Sequence, residues 1–259
     1  MSLLALSRVD KIFGGLRAVH DVSFAVEPGT IFGLIGPNGA GKTTLFNLIT
    51  GVYTPESGSI LFAGGEIAGL RPAAIAARGI ARTFQNIRIF RTMTVEENVM
   101  VAGHHLHKAN IVQAMFRSHR YEDDERALKT RARELLDMLG LAPLACEVAG
   151  SLPYGSQRRL EIARALMLSP QLLLLDEPAA GMNSQEARTL NDQIRFLRDE
   201  LELTVILVEH NMAVVMNVCE TIHVVDHGET IAEGSPTEIR VHPKVLAAYL
   251  GEEPKEALG

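Results

Sequence analysis

The sequence predicts an α/β fold built on a parallel sheet, with strands before it and a helical part in the middle of the chain. Three observations carry this reading. The pattern G-x-x-x-x-G-K-[ST] runs from Gly36 to Thr43, between an apolar strand, Ile31 to Ile35, and a helical stretch. The continuous apolar runs "QLLLLD" and "TVILVEH" read as strands buried on both faces. In the last part of the chain such strands alternate with helical patterns, the arrangement of parallel βα units.

Taken in chain order, "SRVDKIF", "VHDVSFAVEPG" and "TIFGLI" alternate or run apolar between glycine and proline breaks, so they read as strands. The stretch after Gly41 is helical by pattern, with Gly51 as its C′ residue. "GSILFAGGEI" is a hairpin-like pair around Gly64 and Gly65. Pro72 to Arg78 is a short helix that stops at Gly79, and "IARTF" returns as a strand. Thr94 to Glu97 is a capping box before "NVMVAG". Between Glu122 and Leu139, Leu128, Ala132, Leu135, Leu136 and Leu139 share one helical face, and Gly140 ends that helix. "RRLEIARALML" is a helix ended by Ser169-Pro170. Asn183 to Glu186 is a second capping box, opening "SQEARTLNDQIRFLRDE". "TIHVVDHGETIAEG" is a hairpin, and Ser235 to Glu238 opens the final helices. Three parts are expected within one domain: 1–91 with the phosphate loop, a helical 92–165, and 166–259.

The chain of 259 residues is 47% hydrophobic, enough for a full core. A net charge of −6 does not suggest a basic face, so no nucleic-acid partner is expected. Cys146 and Cys219 are too few for a disulfide framework and read as buried free thiols. No signal peptide is evident, and no uncharged apolar run reaches the ~18–20 residues of a membrane span. The chain is expected to be soluble, with any membrane role coming through a partner. His104, His105, His107 and His119 read as solvated helical surface rather than a metal site, and the tail "GEEPKEALG" as a frayed end.

The glycine loop has a physical reading of its own. Gly36, Gly39 and Gly41 let backbone N–H groups converge on an anion, and the positive end of the following helix faces the same anion. Gly36, Pro37, Asn38, Gly39, Ala40, Gly41, Lys42, Thr43 and Thr44 are therefore the expected contacts of a nucleoside triphosphate. Lys42 supplies a point charge for the β- and γ-phosphates, and Thr43 a hydroxyl for Mg²⁺. In "LLLLDEP", Asp176 at a strand end can hold Mg²⁺ through water, and Glu177 can polarise an attacking water.

With these motifs in this order, the chain resembles the ATP-binding subunit of an ABC transporter over nearly its whole length. The resemblance places Gln85 of "RTFQN" at the family's Q-loop, where its amide oxygen serves Mg²⁺. It places "SLPYGSQRRLEIARAL" at the signature motif, "AAGMN" at the D-loop, and His210 of "LVEHNM" at the switch histidine that touches the γ-phosphate. Phe13 sits where the family stacks an aromatic on adenine. Catalytic roles are thus implied for Glu177, His210 and Lys42, and Mg²⁺ contacts for Thr43, Gln85 and Asp176. The implied fold is a P-loop NTPase core of ABC type with an antiparallel β subdomain and an α-helical subdomain.

Three departures matter. The family's Leu-Ser-Gly-Gly-Gln reads Leu152-Pro153-Tyr154-Gly155-Ser156 here, and Pro153 has neither hydroxyl nor N–H. Gly155 and Ser156 are expected to carry the contact to ATP on the opposite subunit. Asn183 stands where the D-loop usually has Asp, and Phe13 where Tyr is commoner. The wording of "ARTFQNIRIF", "DEPAAGMN" and "VEHNM" resembles the ATPase of branched-chain amino-acid importers. That family implies a second ATPase subunit, identical or different, two membrane permease subunits and a periplasmic binding protein. It also implies a peripheral position on the cytoplasmic face of the inner membrane. The alternative is the ATPase of a lipid or lipopolysaccharide export complex, or a soluble non-transport ABC ATPase.

Overall fold

The computed structural model describes residues 2–103 and 119–250. The histidines at 104, 105 and 107 and the tail 251–259 lie outside the described residues, as does the side chain of His119. The chain divides into two compact units, Met1–Arg82 with Gln171–Gly259, and Thr83–Pro170.

The first unit holds two sheets. β1 (Leu4–Phe13), β2 (Leu16–Val26), β4 (Ser57–Phe62) and β5 (Gly65–Glu66) form an antiparallel sheet in the order β2-β1-β4-β5. The other sheet is ordered β10-β9-β3-β8-β7-β6, from β3 (Ile31–Ile35), β6 (Ile80–Arg82), β7 (Leu172–Asp176), β8 (Thr204–Val208), β9 (Thr221–Asp226) and β10 (Glu229–Gly234). It is parallel except for the β9–β10 hairpin. β3, β7 and β8 are buried at every position, which is why their sequences run apolar instead of alternating.

Helix α1 (Lys42–Ile49) follows the glycine loop and buries Leu45, Phe46, Leu48 and Ile49 in one core with β1, β2, β4 and the parallel strands. Gly51 has φ 71, the left-handed C′ conformation read from the sequence. Helix α2 is shorter than expected, Pro72–Ala76. Strand β6 stops at Arg82, short of "IARTF". The reason lies in side chains distant in sequence: the Phe84 N–H donates to Glu161 Oε1 at 3.2 Å and its carbonyl accepts from Arg158, so side chains take the place of a neighbouring strand.

The second unit contains α3 (Val95–Ala102), α4 (His119–Met138) and α5 (Tyr154–Leu166). Both halves of the Thr94–Glu97 capping box form. Leu128, Ala132, Leu135, Leu136 and Leu139 are buried together, as their spacing predicts, and Gly140 ends the helix with φ 64.

Back in the first unit, α6 (Ser184–Leu201) opens on the Asn183–Glu186 capping box. Helix α7 (Met212–Val218) is one the sequence reading lacks; it is two turns long and capped by the Asn211 side chain. Helices α8 (Pro236–Arg240) and α9 (Pro243–Leu250) close the described chain, α8 behind the Ser235–Glu238 capping box. One expectation is corrected: Cys219 is buried, but Cys146 is exposed. Cys146 sits in the irregular segment between two 3₁₀ turns, Ala142–Leu144 and Ala149–Ser151.

Candidate functional site

Sheet register brings the site together. Leu34 of β3 pairs with Val208 of β8, and Val208 pairs with Asp176 of β7. The three parallel strands therefore end level. The glycine loop, the Asp176-Glu177 turn and the Glu209-His210 turn all leave the same edge, the carboxyl edge where open α/β sheets hold ligands.

The glycines are demanded by geometry. Gly41 has φ 103, and a Cβ there would lie 2.6 Å from the Ala18 carbonyl oxygen of β2. Gly36 is tighter still, with the Val225 carbonyl oxygen 2.0 Å from a built Cβ. Gly39 has φ 83, yet a Cβ on it would meet no other atom within 4 Å. Two of the glycines are thus required by the protein's own backbone, and the third faces outward. The Leu45 N–H makes the first i→i−4 bond to the Gly41 carbonyl at 2.9 Å. The amides of Lys42, Thr43 and Thr44 precede it in the first turn and have no acceptor within the helix. Asn38 and Thr43 are exposed, Pro37 and Thr44 half-buried, and Ala40 buried.

Lys42 is buried, and its Nζ donates to the Gly36 and Pro37 carbonyls at 2.6 and 2.8 Å. Burial pulls its ammonium below the ordinary lysine range, opposed by the charges of Glu177 and Asp176. Glu177 follows β7 with φ 48, a left-handed turn that carries its side chain away from the strand. Its N–H is held by the Val208 carbonyl at 2.9 Å, and its Oε1 lies 3.6 Å from His210 Nδ1. His210 is exposed and Glu177 half-buried.

Several participants were not legible as site residues. Arg82, at the end of β6, donates to Asp176 Oδ2 at 2.7 Å. Glu209 is buried and accepts the Ala179 N–H at 2.7 Å and, with its other oxygen, the Asn211 N–H at 3.4 Å. It thereby fixes both the loop after Pro178 and the turn that presents His210. Burial pushes the Glu209 carboxyl up, opposed by those two N–H groups. Phe13 stands outside the core, 39% exposed, edge-on to Tyr53 with ring centroids 5.0 Å apart. A charged residue inside a short strand, or directly after one, was the signal for Arg82 and Glu209; Tyr53 carried none.

Asn183 spends its acceptor on its own helix, taking the Gln185 and Glu186 N–H groups at 2.9 and 3.0 Å. An Asn therefore serves there as Asp would.

Gln85, Gly155 and Ser156 belong to the second unit. Gln85 is exposed. The segment around it is pinned by the buried pair of Arg158 Nη1 and Glu161 Oε2 at 2.6 Å, since Glu161 Oε1 also accepts the N–H groups of Phe84 and Arg88. Gly155 is half-buried in the first turn of α5. Ser156 faces inward: its N–H donates to the Pro153 carbonyl at 2.9 Å and its hydroxyl accepts from Arg159 at 3.0 Å. A contact from Ser156 to a ligand would have to exchange these bonds, whereas the Gly155 amide has no acceptor within the helix.

The donor set suits Mg²⁺. It offers the hard oxygens of Thr43 and Asp176, and no group of three or more His, Cys, Asp or Glu able to hold a metal occurs among the described residues. Hard oxygens of this kind suit an ion that takes most of its ligands from phosphates and water. The cation already drawn to Asp176 shows that this carboxylate takes positive charge.

The sequence was compared with known proteins. A family model described as ABC transporter matches residues 19–180, and one described as branched-chain amino acid ATP-binding cassette transporter matches 229–255. The high-affinity branched-chain amino acid transport ATP-binding protein BraF of Pseudomonas aeruginosa is 45% identical, over 96% of this chain and 98% of its own. LivG of Escherichia coli K12, described in the same words, is 43% identical with the same coverage. A solved ATP-binding cassette of an ABC transporter in its ADP conformation superposes with TM-score 0.85 at 32% identity, covering 97% of this chain and 100% of that one. Among the described residues, no helix is long and apolar enough to cross a membrane.

Proposed function

This chain belongs to the ABC transporter family of ATP-binding subunits, and from that premise we infer that it hydrolyses ATP to drive import of branched-chain amino acids. The observation that carries the ATPase reading is the convergence of Lys42, Asp176, Glu177 and His210 at the level ends of β3, β7 and β8. The transported solute rests on the two relatives above and on the C-terminal family model.

The chemistry follows from the chain's own groups. Lys42 exchanges its two loop carbonyls for phosphate oxygens, so its charge moves from holding the loop to holding the nucleotide. The first-turn amides after Gly41 add fixed dipoles that need no reorganisation. Glu177 accepts a proton from the attacking water, and His210 beside it holds that water and the terminal phosphate in line. Thr43 and Asp176, with Gln85 by the resemblance, would hold Mg²⁺, and the ion would supply charge neutralisation at the phosphates.

Two such subunits, identical or different, close over two ATP molecules, the Gly155–Ser156 end of α5 of one meeting the nucleotide of the other. Phe13 offers its exposed face to adenine. Membrane permease subunits receive the motion, placing the chain peripherally at the cytoplasmic face of the inner membrane, with a periplasmic binding protein delivering the solute. Asn86 to Gly103 form the receiving surface. There the Arg88 guanidinium stacks on Phe84, 4.1 Å from the ring centre, and Arg164 on Phe90 at 4.9 Å.

The test is reconstitution with the permease subunits in vesicles. ATP should drive uptake of labelled leucine, isoleucine or valine, and Lys42→Ala should abolish it. Arg88→Ala or Phe90→Ala should lower transport per ATP while hydrolysis continues. Hydrolysis without uptake of any of the three solutes would exclude the importer reading.

A further inference from the structure

Arg82 is a charge buried where a strand should carry none. It ends β6, and its side chain is 8% exposed against 5% for its partner, Asp176. One guanidinium nitrogen donates to Asp176 Oδ2 at 2.7 Å; another donates to Asn47 Oδ1 at 2.7 Å. The guanidinium also lies over the Phe46 ring, 5.4 Å from its centre. Phe46 and Asn47 belong to α1, the helix that starts at the phosphate loop. One cation therefore ties the carboxylate at the end of β7 to the body of that helix.

We propose that Arg82 is the resident counter-ion of Asp176, holding the orientation of this carboxylate when no metal–nucleotide is bound. The inference rests on the reading of Asp176 as the Mg²⁺ partner. A buried carboxylate is costly unless a cation and hydrogen bonds compensate it. In the metal-free protein Arg82 supplies that compensation through a planar fork that a lysine reproduces only as a point charge. Mg²⁺ then arrives as a second cation at an already oriented carboxylate. Its positive charge substitutes for part of what Arg82 provides, so the two cations overlap in function. Loss of Arg82 is therefore felt most without metal, and Mg²⁺ with nucleotide offsets it.

The experiment compares melting temperatures in EDTA and in Mg²⁺ with a non-hydrolysable ATP analogue. Arg82→Met should lower the midpoint by about 6–20 °C in EDTA, the range for breaking a buried pair in a chain near this size. At least half of that deficit should disappear with Mg²⁺ and the analogue. Arg82→Lys should fall between. Arg82→Met combined with Asp176→Asn removes both charges and should melt higher in EDTA than Arg82→Met alone. If Arg82→Met does not fold, folding of the double variant supports the proposal. Equal deficits in the two buffers, or a double variant no more stable than the single one, would overturn it. Asp176→Asn alone serves as the control on the metal reading. If it leaves the Mg²⁺ dependence of analogue binding unchanged, that reading fails, whereas the EDTA comparison still judges the counter-ion.

Discussion

Replacing Gly39 and Gly41 in turn by Ala separates what the phosphate loop needs from the protein and what it needs for its ligand. Both glycines have positive φ, 83 and 103, where an L side chain costs about 1–2 kcal/mol. For a chain near this size each kcal/mol lowers the melting midpoint by roughly 2–4 °C. Gly39→Ala adds a methyl group that meets no atom within 4 Å, so its stability cost should be the strain alone, a drop of ~2–8 °C. Gly41→Ala adds a Cβ 2.6 Å from the Ala18 carbonyl oxygen, against ordinary contact beginning at 3.4 Å. Overpacking of that kind adds about 1–3 kcal/mol, so the total drop should be ~4–20 °C. Nucleotide binding should rank the other way for its size relative to stability. The Gly39 methyl projects from the outward side of the loop, and affinity for Mg²⁺–ATP should fall at least ~10-fold, about 1.4 kcal/mol. Differential scanning fluorimetry and binding of a fluorescent ATP analogue read the two quantities. Gly39→Ala with affinity within twofold of the parent, or Gly41→Ala as stable as Gly39→Ala, would refute the reasoning.

Other consequences follow from individual side chains. Asn183→Ala removes the acceptor for two N–H groups at the start of α6 and should cost about 1 kcal/mol by denaturant titration, whereas Asn183→Asp should be near neutral. Burial raises the Glu209 carboxyl above its ordinary value of 4.5. The folded state therefore favours its protonated form, and that contribution fades as pH climbs from about 4.5 through the raised value. Measured against the parent, Glu209→Gln should gain stability progressively over this window; a gap that stays constant from pH 4.5 to 8 would contradict it. Burial pushes the Cys219 thiol up to about 12, while Cys146 is exposed. Iodoacetamide at pH 8 should modify Cys146 and spare Cys219, which mass spectrometry of peptides checks directly.

Much of the fold could be read before any coordinates because local rules agree with the global arrangement. The two capping boxes read at Thr94 and Asn183 form, and Ser235 opens α8 as read, since each needs only residues three apart. The buried face of α4 follows from apolar spacing alone. The legible part of the site consists of residues within short motifs: Gly36 to Thr44, Asp176 with Glu177, and His210 in "LVEHNM". What escaped depends on contacts distant in sequence. Arg82 meets Asp176 across 94 positions and Glu209 meets Ala179 across 30, and no local pattern encodes either pairing. Strand β6 ends early for a similar reason, because Arg158 and Glu161 of α5 satisfy Phe84. Helix α7 was missed because two turns of "MAVVMNV" carry β-branched residues, and only the Asn211 cap marks the start.

The most direct measurement is single-turnover hydrolysis by Glu177→Gln, made alongside its ATP affinity. If Glu177 takes the proton from water, the rate should drop by at least ~100-fold while ATP binds as tightly as to the parent. Hydrolysis at the parent rate would show that the base lies elsewhere.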